Sequence, residues 1–301
     1  MTLTVEQLNK RCLSLGGTDV SAILGKNPFK KPIDVYLEKT TGVTQEIYEN
    51  EAMWFGTNME PVIIERFLHL FPQKISYPDT FYHKDYPFLH GNVDGILEDG
   101  TVLEIKNIGL NASKKWGESG SNIYPIYYHL QVMHYNILTN SPGGILAALI
   151  CGNELRMYPI PRNKELEDLL VKKCVSFWTD HIIPKIPPPI EDYDSARKFW
   201  TNGLEGSKKQ ATQEIELYIN RYKDLKRESE TINTEIDTIK TIIANFMKDT
   251  EILIDEEENI FATFKKQKSS NFNADSFKTD YKELYEKYLV KKETNRLLKV
   301  K

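Results

Sequence analysis

Apolar positions along the chain follow two rhythms. Ile63, Ile64, Phe67, Leu68 and Phe71 recur at helical spacing and predict a helix over residues 56–71, with Pro61 in its first turn. Upstream, residues 7–24 read as a helix, a loop at Gly16-Gly17 and a second short helix capped by Thr18 or Asp19. After Pro28 and Pro32, helical spacing resumes over residues 33–39. Short alternating stretches between residues 80 and 108 predict strands, and a polar loop over 111–122 separates them from a helix that Pro125 opens and that runs to Leu138. Gly143-Gly144 leads into the apolar run 145–151, which pairs with 154–160 as a hairpin; 165–181 is helical, and 184–189 is a proline-stiffened break.

Past the break the pattern changes. Ile215, Tyr218, Tyr222, Leu225, Ser229, Ile232, Ile236, Ile239, Ile243 and Phe246 alternate steps of three and four, a heptad seam on one long helix over about 211–248. Such a seam packs within its own domain or pairs with another subunit or protein. A hairpin (252–254 with 260–264) and a charged helix (281–289) follow. Lys265, Lys266 and Lys268 make a basic run, either a solvated edge or a contact for a phosphate backbone. The expected division is a core of residues 1–190 and an extension of 191–301 packed on it.

Against this background one segment stands out. Val93-Asp94-Gly95-Ile96 and Leu103-Glu104-Ile105-Lys106 put two acids and a lysine into short apolar strands, which burial penalises unless the charges hold something. Glu98-Asp99-Gly100 reads as a three-residue loop with glycine at the left-handed position. That register sets Asp94 opposite Glu104, Ile96 opposite Val102 and Asn92 opposite Lys106. Asn92, Asp94, Glu104 and Lys106 then share one face, and Val93, Leu97, Leu103 and Ile105 the other. A two-residue Asp-Gly loop would separate the acids and drop charge into the core.

Two or three converging carboxylates, with Glu60 as the third, suit Mg²⁺ or Mn²⁺ rather than zinc. Lys106 would orient or deprotonate an attacking water and screen a phosphate. The alternative is a surface hairpin with an ordinary cross-strand ion pair. Composition narrows the classes further. The chain has 301 residues, 40% hydrophobic and 27% charged, and its net charge of −4 requires any nucleic-acid contact to use a local basic patch. Cys12, Cys151 and Cys174 form no CxxC, which suits a reducing cytosol and excludes a four-cysteine centre. The six histidines have no zinc-ligand spacing, no nucleophile elbow is present, and Gly16-Gly17 is not followed by the G-K-[ST] of a P-loop. No secretory h-region or eighteen-residue apolar run is found, which argues against secretion or membrane spanning.

The ordered set Gly16-Gly17-Thr18-Asp19 … Ile23-Leu24-Gly25, Trp54-Phe55-Gly56 … Glu60-Pro61, Asn92-Val93-Asp94-Gly95 … Glu104-Ile105-Lys106 and Tyr128 … Gln131 … His134-Tyr135 resembles the YqaJ-like viral recombinase family. That family belongs with the lambda-type alkaline exonucleases of the PD-(D/E)xK nuclease superfamily. The resemblance covers roughly residues 8–150. Val93 stands where the superfamily's name has proline, a loss common in this branch.

The resemblance implies an α/β (α+β) nuclease core, a central mixed sheet flanked by helices, with the long helix and hairpin as a C-terminal extension. Asp94 and Glu104 would ligate metal, with the Ile105 carbonyl completing the shell and Glu60 reaching it directly or through water. Two Mg²⁺ ions per site are implied, with Mn²⁺ able to substitute. Lys106 would handle the attacking water beside Gln131, which without the resemblance reads as a solvated helix position. Arg11 and Thr18 align with positions that grip a DNA 5′-phosphate. Lys114, Lys115 and Trp116 would hold strand backbone and stack on a base, or form a basic loop with one anchoring tryptophan. The implied activity is a 5′→3′ exonuclease on duplex DNA ends that leaves a 3′ single strand for an annealing protein. A ring-shaped homotrimer enclosing DNA, in a host bacterial cytoplasm, goes with it. An endonuclease or nickase of the same superfamily and a non-catalytic DNA-end module are the rivals.

Overall fold

The charged hairpin forms part of a five-stranded mixed sheet. The computed structural model describes residues 12–42, 50–290 and 296–301. Helices α1 (Gly17–Ile23), α2 (Pro32–Thr41) and α3 (Glu51–Leu70) precede strands β1 (Ile75–Ser76), β2 (Phe81–Tyr82), β3 (His90–Gly91), β4 (Gly95–Leu97) and β5 (Val102–Ile108). Then come α4 (Leu110–Ser113), α5 (Ile126–Thr139), β6 (Gly143–Ile150), β7 (Glu154–Pro161) and α6 (Lys164–Phe177), which runs on into a π-helical turn. The sheet order is β1-β4-β5-β6-β7, while β2 and β3 pair separately. Only β5 and β6 are parallel, and α5 makes the crossover that such a pair needs.

Two layers of helix cover this sheet because β5 alternates. Leu103 and Ile105 face α3, where they are buried with Ile63, Phe67, Leu97 and Ala147. Val102 and Ile108 face the other layer, built from Val132 and Met133 of α5 together with Leu146, Ala148 and Tyr158. Each such side chain contributes about 1.5–3 kcal/mol on full burial. The same alternation sends Glu104 toward α5.

Three local expectations change. Helix α3 starts at Glu51, capped by Asn50, whose Oδ1 accepts from the Met53 amide at 3.0 Å. Pro61 therefore lies inside the helix, not in its first turn, and removes one helical donor next to Glu60. Neither Thr18 nor Asp19 caps α1: Gly16 takes the extended cap conformation, and Asp19 Oδ2 accepts from the Gly16 amide at 3.0 Å. Val93 packs with Val102 and Tyr135 rather than beside Leu103 and Ile105, because pairing with β5 begins only at Gly95.

The chain divides at Phe199/Trp200 rather than near residue 190. Helix α7 (Tyr193–Phe199) stays with the first unit through Phe199 against Tyr36, ring centroids 6.2 Å apart, and Lys198 near Asp34 at 3.6 Å. The second unit holds α8 (Gln213–Met247), the hairpin β8 (Ile252–Ile254) and β9 (Ile260–Thr263), α9 (Ala274–Asp280) and α10 (Lys282–Tyr288). Helix α8 buries only Met247, and its seam residues are exposed, Ser229 among them. No described helix is long and apolar enough to cross a membrane.

Candidate active site

The β4–β5 turn closes as the register requires. The Gly100 amide donates to the Leu97 carbonyl and the Leu97 amide to the Thr101 carbonyl, both at 2.9 Å, with Gly100 at φ +87°. Gly95 pairs with Leu103 and Ile96 with Val102. The same register carried one step further sets Asp94 across from Glu104. Asp94 Oδ2 accepts from the Ile105 amide at 2.7 Å, so a carboxylate takes the place of the next ladder bond and is pinned to β5.

Glu104 is 1% exposed. Its Oε1 accepts from Lys106 Nζ and from Gln131 Nε2, the latter at 2.7 Å, and Gln131 Nε2 also donates to the Tyr135 hydroxyl at 3.0 Å. Lys106 Nζ reaches the Ile105 carbonyl as well, at 2.9 Å, and lies 5.6 Å over the Tyr128 ring. Burial pushes the Glu104 carboxyl up, against the pull of Lys106, and neighbouring Asp94 adds to the rise. For Lys106 burial works against the charge, but Glu104 and Asp94 outweigh it and hold the ammonium protonated. Two carboxyls thus share one cation. Glu104 Oε2 is buried without a hydrogen-bond partner, an arrangement that costs free energy as it stands.

Glu60, half-buried on α3, lines a cleft with Pro61, Ile64, Glu65, Leu68, Tyr77 and Asp94. Burial and then Asp94 push its carboxyl up. Among the described residues no three His, Cys, Asp or Glu side chains already form a metal cluster. The Lys106 ammonium is bonded to two of the expected ligands, Glu104 Oε1 and the Ile105 carbonyl. The donor set nevertheless fits a hard divalent ion: every donor is oxygen, and Glu104 Oε2 is a buried acceptor without a hydrogen-bond partner.

The other predicted positions separate. Gln131 is buried, and its Nε2 donates to Glu104 Oε1. Thr18 is exposed at the second position of α1, Lys114 and Lys115 are exposed after α4, and Arg11 lies outside the described residues. Trp116 does not stack on bases: it is 6% exposed and enclosed by Tyr124, Tyr128 and Tyr158, so it anchors the loop. Sequence reading missed a charge network at α1–α2, where Lys30 Nζ meets Asp19 at 2.6 Å and Lys39 Nζ meets Asp19 at 3.0 Å and Glu38 at 2.9 Å. A signal existed: Lys39 falls three residues after Tyr36 on the buried stripe of α2, which demands a buried acid.

A mixed sheet carrying this hairpin, with a glutamine from the crossover helix on the second acid, is a nuclease fold. The chain superposes on the alkaline exonuclease LHK-Exo from Laribacter hongkongensis with a TM-score of 0.50 and 19% identity, covering 61% of this chain and 94% of that one. Its residues 6–142 match the model of the YqaJ-like viral recombinase domain. Over 298 residues it is 26% identical to the uncharacterised protein YqaJ of Bacillus subtilis, across 96% of this chain and 91% of the relative.

Proposed function

We propose that the protein is a metal-dependent DNA exonuclease that hydrolyses phosphodiester bonds from duplex ends, 5′→3′, and leaves 3′ single strands for an annealing protein in the bacterial cytoplasm. The observation that carries this reading is Glu104: a buried carboxylate with one oxygen gripped by Lys106 and Gln131 and the other free. Mg²⁺ or Mn²⁺ held by Asp94, Glu104 and the Ile105 carbonyl, with Glu60 beyond, would acidify a bound water and offset charge growing on the phosphoryl oxygens.

The chain's own groups have distinct tasks. The Ile105 amide fixes Asp94, and Gln131 fixes Glu104, so neither carboxylate needs to reorganise. Lys106, beside Glu104 and the Ile105 carbonyl, is placed to orient or deprotonate the attacking water and to meet the phosphoryl oxygen that gains charge. Thr18, Lys114, Lys115 and, by alignment, Arg11 are offered to strand phosphates. A homotrimeric ring around DNA is consistent with a net charge of −4 if cations line its channel.

Linear and covalently closed circular duplexes incubated with Mg²⁺ test the reading. Degradation of the linear DNA alone is the expected result, and end-labelled strands give the polarity. Cutting of the circle would assign an endonuclease, and no cleavage of either substrate would leave a non-catalytic DNA-end module.

A further inference from the structure

The turn after α1, residues 25–31, displays Phe29 with 82% of its surface exposed. Single exposed apolar residues are common and need no use. Two features set this one apart. First, its backbone is fixed. Buried Asn27 donates through Nδ2 to Ser21 Oγ at 3.1 Å and accepts through Oδ1 from the amides of Phe29 and Lys30 at 2.8 and 3.2 Å. Lys30 is tied down by Asp19 at 2.6 Å and Glu38 at 2.5 Å. The buried charge network therefore buttresses the turn that presents the ring.

Second, the ring ends an aromatic row that starts at the active site. Tyr128 lies beneath Lys106 Nζ, Tyr127 meets Tyr128 with centroids 4.3 Å apart, and Phe29 meets Tyr127 edge-on at 6.0 Å and 80°. Lys26 and Lys31, both exposed, flank the ring in sequence. Aromatic faces interleaved with exposed lysines are how proteins hold a nucleic-acid strand without reading its sequence.

We propose that Phe29, with Tyr127, is a base-stacking platform at the mouth of the Asp94–Glu104–Lys106 site, and that it seats a base of the DNA strand end while Lys26 and Lys31 meet its phosphates. The inference rests on the nuclease reading above and adds positioning residues to it. Stacking on a π-face makes the grip indifferent to sequence.

Binding without cleavage tests it in the full chain carrying Glu104→Gln. DNA ends with 2-aminopurine at successive terminal positions, in EDTA, should show quenching at one or two positions. Adding Phe29→Ala should abolish that quenching and weaken binding on the order of 5- to 150-fold. Phe29→Trp should restore both, with the thermal midpoint unchanged throughout. Lys26→Gln with Lys31→Gln should flatten the log–log salt slope by roughly 1.4. An unquenched parent, or Phe29→Ala with parental quenching and affinity, would overturn the platform; an unaltered salt slope would overturn the lysine contacts. The two readings fail separately. Quenching that depends on Phe29 in a protein inert toward DNA with Mg²⁺ sinks the nuclease and keeps the platform, while cleavage unaffected by Phe29→Ala does the reverse.

Discussion

Gly17→Ala asks whether α1 positions the site glutamine. Gly17 opens α1 without a left-handed backbone, so alanine brings no backbone strain and gains up to about 1 kcal/mol of helix propensity. Its new Cβ, however, falls 2.9 Å from Gln131 Cγ and 3.1 Å from Tyr135 Cε1. Carbon contacts are comfortable near 3.5 Å, so the overlap is roughly half an ångström. Neither neighbour yields easily, since both are buried and bonded to each other, and Gln131 also holds Glu104. Overpacking of this kind costs about 1–3 kcal/mol. Set against the full propensity gain, the net loss is up to about 2 kcal/mol, or a midpoint lower by up to roughly 8 °C in a unit of this size.

The functional effect should exceed the structural one. A 1 Å misplacement near the chemistry costs about 10²-fold, so pushing Gln131 by about half that should lower kcat roughly tenfold with KM little changed. Rates on linear duplex and thermal midpoints of Gly17→Ala, Gln131→Ala and the double variant decide the matter. Gln131→Ala removes the nearer clashing atom, so the double variant should be more stable than the sum of the singles by at least about 0.5 kcal/mol. Relief is partial because Tyr135 remains. Parental activity in Gly17→Ala, or strictly additive stabilities, would refute the coupling.

Three further outcomes follow from the same geometry. Glu104→Gln should lower hydrolysis on the order of 10³-fold or more, and Glu104→Gln with Lys106→Met should keep or raise the midpoint, since replacing a buried ion pair is often neutral or stabilising by about 1–4 kcal/mol. Collapse of the double variant in calorimetry would make the pair structural. For Asp19, burial works upward, but Lys30 and Lys39 outweigh it and hold the carboxyl well below the usual range. Its stabilisation is present above the unfolded value near 4 and lost as pH falls through the folded one. Asp19→Asn should therefore cost about 3–5 kcal/mol at pH 7, with the gap to the parent narrowing in acid; a pH-independent gap in urea titrations would contradict this. Burial holds His134 down to about 4. Its neutral form is favoured in the fold, so stability is full above about 6.5 and falls between there and 4 by up to about 3 kcal/mol. His134→Gln should flatten that acid slope, and an unchanged slope would reject the burial argument.

The hairpin register was legible because its determinants are local: Gly100 supplies the left-handed residue, and Asp99 Oδ1 accepts from the Thr101 amide at 2.9 Å. The face of Val93 was not, since period-two alternation ends where pairing ends. The start of α3 was hidden for a related reason. Met53, Trp54 and Phe55 are exposed, so the first turns carry no buried stripe from which to read periodicity. Trp116 illustrates the long-range case: its neighbouring lysines suggested a DNA contact, but its burial depends on Tyr124 and Tyr128 and on Tyr158, which β7 brings from 42 residues away. Around Phe29 only the break at Pro28 and Pro32 was readable; its neighbour Tyr127 comes from far along the chain.

The position of the charges on β5 follows from the two layers. A strand covered on both faces offers no solvated side, so an acid at 104 must point into the α3 layer or the α5 layer. The α3 layer is apolar at that level, with Ile63, Phe67, Leu103 and Ile105. The α5 layer supplies Gln131, which donates to Glu104 Oε1 and to the Tyr135 hydroxyl and leaves Oε2 open. Such a layer does not lower the cost of a buried carboxylate enough to favour it over leucine. Lys106 offsets part of that cost with one charge against two acids, and it does so from a side chain still 23% exposed. If a divalent cation is bound, Asp94, fixed by the Ile105 amide, and Glu104, fixed by Gln131, would hold it, and the partly exposed Lys106 would be left to meet the phosphate. A hairpin selected only for stability would have no reason to set two fixed acids against a single base.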